Sequence, residues 1–60
     1  MTNQELAKII RDSDNWVSVE EEVKDLCDRA NLLDEYNAAD GETFESVIEA
    51  AAEKLGVQIY

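Results

Sequence analysis

Apolar residues recur at helical spacing in three stretches of this chain, and a residue able to cap a helix stands before each. In the first stretch, Thr2 and Glu5 lie three residues apart ahead of Leu6, Ile9 and Ile10, with Ala7 at the margin of the same face. A threonine and a glutamate at that spacing satisfy two free amides of a first turn, the pattern called a capping box. The polar run Arg11 to Asn15 should close this helix near residue 13, because short polar side chains compete for backbone hydrogen bonds.

Ser18 and Glu21 repeat the capping pattern, and Val19, Val23, Leu26, Cys27, Ala30 and Leu33 follow. At about 100° per residue these positions share a stripe roughly 120° wide, with Glu21, Asp25 and Asp28 on the opposite face. Glu20, Glu21 and Glu22 occupy the first turn, where the helix dipole favours negative charge. Asn31 is placed to end the helix. The third stretch runs from about Thr43 to Leu55, with Phe44, Val47, Ile48, Ala51 and Leu55 on one face. Asp40 or Thr43 can cap it, and Gly56 supplies the left-handed residue that commonly follows a helix.

Between these helices, residues 34 to 42 show no period, and Ala39-Asp40-Gly41-Glu42 reads as a turn. Val57-Gln58-Ile59-Tyr60 alternates apolar and polar like a strand. Asn15-Trp16-Val17-Ser18 is the other β-favouring segment, so residues 15–18 are the expected partner of 57–60. The expected fold is mainly α: one domain over residues 1–60, about three helices around one core, and a short two-stranded pairing. Trp16 is expected to be the largest contributor to that core.

Composition narrows the class. With 45% hydrophobic residues, no proline and two glycines, the chain is a folding domain rather than a disordered segment. A domain of this size buries only about 60% of its unfolded surface, which predicts a stability of a few kcal/mol. The single cysteine, Cys27, cannot form an internal disulfide, whereas small secreted domains usually hold two or more bridges, so the cytoplasm is the expected compartment. No signal-peptide pattern, lipidation motif or membrane-length apolar run is visible, and no membrane partner is expected.

The missing residue types exclude most chemistry. Without histidine there is no side chain that titrates near neutrality unperturbed, and no Cys-His or Ser-His pair can form. Cys27 lies on an apolar helix face and reads as a small core residue. Paired carboxylates need a cleft that this length does not supply, so no enzyme is expected. A calcium loop built on Gly41 would place Tyr36, Ala38 and Asp40 at its first three ligand positions and Val47 at its last, which fails. Neither glycine belongs to a phosphate-binding loop. No metal and no cofactor is expected.

Charge is the remaining signal. Fifteen acidic residues oppose five basic ones, a net charge of -10, so direct binding to nucleic acid is the least expected activity. Residues 12 to 53 hold all the acidic residues but Glu5, and no basic residue stands between Arg29 and Lys54. Glu45, Glu49 and Glu53 form a row on the third helix at about 6 Å per step, placed almost opposite its apolar face. Like charges at that spacing cost ~0.2–0.5 kcal/mol per pair, yet the row carries no alternating lysine.

Together with Glu21, Asp25 and Asp28, this row approaches the charge density of a nucleic-acid backbone. Asp34, Glu35, Asp40 and Glu42 extend the acidic patch across the connection, and Tyr36 within it is placed to stack on an arginine or aromatic group. The expected function is an acidic inhibitor that mimics nucleic-acid charge and blocks the basic channel of a nucleic-acid-processing complex. In size and charge the chain is similar to the small acidic inhibitors of restriction and CRISPR enzymes encoded by phages and mobile elements, a likeness of composition that would place it in a host cytoplasm. The alternative is an interaction module, such as a phage accessory protein, docking through an apolar patch around Leu32, Tyr36 and Tyr60.

Overall fold

The computed structural model describes residues 1–60 as four helices and one tight turn. Helix α1 spans Asn3–Asp12, a 3-10 turn spans Val17–Val19, and α2 spans Glu20–Arg29. Helix α3 spans Leu33–Ala38, and α4 spans Phe44–Leu55. The capping box of α1 forms as its spacing implies. The Glu5 amide donates to the Thr2 hydroxyl at 3.1 Å, and the Thr2 amide donates to the Glu5 carboxylate at 2.9 Å. The latter bond is the main reason the Glu5 pKa lies below its ordinary value.

The second capping box does not form. Asn15 stands three residues ahead of Ser18 and takes the capping role a turn early: its side-chain oxygen accepts the Ser18 amide at 2.9 Å. The Ser18 hydroxyl turns back to the Asn15 carbonyl at 2.8 Å, so Ser18 lies inside the 3-10 turn and α2 begins without a side-chain cap.

Helices α2 and α4 stop in the same way. Asn31 adopts a left-handed φ of 65° and Gly56 one of 70°. After α2, the Leu32 amide donates to the Cys27 carbonyl at 2.8 Å and the Asn31 amide to Asp28 at 3.0 Å. After α4, Val57 donates to Ala52 at 3.0 Å and Gly56 to Glu53 at 3.1 Å. Both are Schellman motifs, each placing an apolar residue, Leu32 or Val57, back against its helix. A Cβ on Gly56 would meet no atom within 4 Å, so Gly56→Ala meets only backbone strain. It is expected to lower stability by about 1–2 kcal/mol in urea denaturation.

The structure contains no strand, and the pairing of residues 15–18 with 57–60 is not formed. The two segments do meet, through side chains. The rings of Trp16 and Tyr60 lie 5.7 Å apart, tilted at 52°. The Arg11 guanidinium donates to the Gln58 carbonyl at 3.0 Å, holding residues 57–60 from α1. Because side chains and a helix anchor this segment, its backbone needs no ladder. Its alternation persists: Val57 and Ile59 are buried, while Gln58 and Tyr60 face outward.

Helix α2 is central, packing on α1, α3 and α4. The fully buried side chains Leu6, Ile10, Val23, Leu26, Cys27 and Ile48 come from α1, α2 and α4, and no charged or polar side chain is buried. Trp16 is half-buried at the edge of this core rather than at its centre. Burial also pushes the Cys27 thiol up to about 11, which suits a core residue and not a nucleophile. No helix is long and apolar enough to cross a membrane.

Candidate acidic interface

Glu45, Glu49 and Glu53 are all exposed on α4, and Ile48 between them is fully buried. At about 100° per residue the row lies roughly 60–140° around the helix from Ile48, on a flank rather than directly opposite the core. That flank faces residues 57–60. Between the two runs a groove of about 430 Å³, walled by Glu49 and Glu53, with Ala52, Val57 and Ile59 beneath and Tyr60 at its edge. The Tyr60 phenol titrates above its ordinary range, first through desolvation and then through the Glu49 and Glu45 carboxylates beside it.

The α2 row has a different setting. Glu21 and Asp28 are exposed, but Asp25 is half-buried and already paired. The Arg29 Nε donates to its Oδ1 at 3.2 Å and Nη2 to its Oδ2 at 3.4 Å, while Nη1 reaches the Asn3 side chain at 3.1 Å. One arginine thus neutralises Asp25 and ties α1 to α2. Glu21, Asp25 and Asp28 line a shallow depression of about 280 Å³ with Lys24 and Leu33. No cavity contains carboxylates from both rows.

Asp34 and Glu35 occupy the first turn of α3, and Glu42 is exposed in the turn before α4. Asp40 has a structural duty. Its Oδ1 accepts the amides of Glu42 at 2.9 Å and Thr43 at 3.1 Å, and the Thr43 hydroxyl accepts the Asp40 amide at 3.1 Å. The Phe44 amide reaches the Asp40 carbonyl at 2.9 Å, so the α4 hydrogen-bond pattern starts from Asp40.

The Glu42 and Thr43 amides hold the Asp40 carboxyl below its ordinary value of 3.8. A lowered folded pKa gives stability that is present above the unfolded value and lost as pH falls through the folded one. The melting temperature of Asp40→Ala is therefore expected to lie below that of the parent at pH 7, with the gap narrowing below about pH 4.

Tyr36 is half-buried, its ring 5.8 Å from that of Phe44, and Leu32 packs on the same core. Desolvation raises the Tyr36 pKa first, with Glu20 and Cys27 adding to the shift. Of the three residues of the apolar-patch reading, only Tyr60 is largely exposed, at 76%. That residues 57–60 line a groove was missed by sequence reasoning; the inward alternation of Val57 and Ile59 was the available signal.

Nowhere do three carboxylate or thiol groups gather as metal ligands would. The fifteen acidic and five basic side chains make one ion pair, Arg29 with Asp25. The α4 row has no cation of its own. Searches against protein-family models, curated proteins and solved structures return no match.

Proposed function

We propose that this chain binds a basic protein surface of the kind that holds nucleic acid and excludes the nucleic acid from it. The observation that supports this reading is the exposed row of Glu45, Glu49 and Glu53, none of which forms an ion pair with a lysine or arginine of the chain. Steps of about 6 Å along a rigid helix are wider than the ~3.4 Å per phosphate of one DNA strand. They still present fixed negative charge at regular intervals to a cationic channel. Electrostatic attraction of this type accelerates encounter and weakens steeply with salt. A restriction or CRISPR nuclease is a target of the proposed class, by analogy of composition.

The test uses the immobilised chain and a nuclease-treated cell lysate, with captured proteins eluted in a salt gradient. Recovered proteins should bind a labelled DNA or RNA duplex, and the free chain should displace that duplex in fluorescence anisotropy. Capture that is indifferent to salt, or of proteins whose nucleic-acid binding the chain does not affect, would overturn the reading.

A further inference from the structure

We infer that the groove between α4 and residues 57–60 receives an arginine side chain of the basic partner. The inference deepens the function proposed above and rests on it for the existence of such a partner. Its floor is apolar: Ala52, Val57 and Ile59 are 4%, 8% and 4% exposed. Its walls carry Glu49 and Glu53, and none of the chain's own lysines or arginines lines it. Tyr60, 76% exposed, presents an aromatic ring that lies tilted against Trp16, with ring centroids 5.7 Å apart.

An arginine matches these features together. Its aliphatic stem covers apolar surface, its planar head stacks on an aromatic ring, and its fork of donors pairs with a carboxylate. A lysine offers the charge and the stem but is more strongly hydrated and lacks the planar fork. The groove's volume of about 430 Å³ suits a side chain rather than a whole helix.

The α2 side makes an internal comparison. There Asp25 is already gripped by Arg29, and Lys24 stands beside Glu21 and Asp28. Lys24 lines that depression, whereas no lysine or arginine lines the α4 groove; Arg11 meets the Gln58 backbone there and pairs with neither Glu49 nor Glu53. A third depression, lined by Glu21, Glu22 and Asp25 with Met1 and Leu6, also lacks a lysine or arginine but has no aromatic rim, so only the α4 groove joins free carboxylates to an aromatic ring.

The test titrates the 15N-labelled chain with two peptides of equal length and charge, glycine alternating with arginine in one and with lysine in the other. The arginine peptide should shift the amides of Glu49, Glu53, Ile59 and Tyr60 and the Trp16 indole N–H. It should also bind about two- to five-fold more tightly than the lysine peptide. Tyr60→Leu, with its fold confirmed by the amide signals of α1 and α2, should bring the arginine peptide down to the lysine level. Equal affinity for both peptides, shifts centred on Glu21 to Asp28, or no effect of Tyr60→Leu would overturn the groove assignment.

The two proposals fail separately. Localised arginine-selective shifts without displacement of nucleic acid would leave the groove standing and remove the function. Displacement of nucleic acid without localised shifts would do the reverse.

Discussion

Leu26→Ala is expected to remove most of the stability of this chain. Leu26 is fully buried on α2, the helix against which α1, α3 and α4 all pack. Truncating such a leucine costs about 2–5 kcal/mol, through lost burial and the cavity left behind. At ~0.05–0.15 kcal/mol per residue, a domain of this length has roughly 3–9 kcal/mol in total. The variant should show a urea midpoint less than half that of the parent, or no cooperative transition at all. Val17→Ala serves as the control: Val17 is 71% exposed, and its loss should change stability by no more than about 0.5 kcal/mol. A Leu26→Ala chain that unfolds at the parental midpoint would mean that the core is not centred on α2.

Reversing Glu45, Glu49 and Glu53 to lysine is expected to weaken binding to the basic partner by at least about 100-fold. Each reversal adds two units to the net charge of -10, leaving about -4, so long-range attraction falls while three like-charge contacts appear in place of three attractive ones. The corresponding reversal on α2 should do less. Asp25 there is already occupied by Arg29, and reversing it would also remove the carboxylate that holds Arg29 beside Asn3 of α1.

Glu45 lies in the first turn of α4, where a lysine opposes the helix dipole by ~0.3–1 kcal/mol. The double variant Glu49→Lys with Glu53→Lys avoids that cost and should retain most of the loss of binding. Anisotropy competition at two salt concentrations measures both variants. Parental competition by the triple variant, with the fold confirmed by circular dichroism, would exclude the α4 row from the interface.

What the sequence made legible was local. The Thr2–Glu5 box, the Val23 to Ala30 part of the α2 stripe, the α4 stripe, the end of α2 at Asn31 and the left-handed Gly56 each depend on residues within a turn or two of one another. Val19 and Leu33, read on the α2 stripe, fall instead in the 3-10 turn and in α3. Ser18 was misread because two residues competed for one role, and Asn15, standing earlier, already fills it. Helix α3 escaped notice because six residues give under two turns of period, although Leu32, Leu33 and Tyr36 share the spacing of one helix face. The β pairing failed for a non-local reason: Arg11 and Trp16 hold residues 57–60 through side chains, which no pattern within 57–60 reveals.

The candidate site divides along the same line. Its carboxylates and their helical rows are plain in the sequence. Which of them the fold already uses is not: Asp25 is bound by Arg29, and Asp40 starts α4. Nor could the sequence show that the α4 row borders a groove.

The central position of α2 also governs how the molecule opens. Helix α1 packs chiefly on α2, whereas α3 lies against both α2 and α4. Loss of any neighbour exposes the apolar face of α2, so the amide protons of Val23 through Cys27 should exchange for deuterium only when the whole chain unfolds. The amides of residues 58 to 60, bonded to no helix, should exchange within the dead time of the same experiment. A molecule with this pattern presents its acidic flank from a rigid body while the edge of its groove breathes.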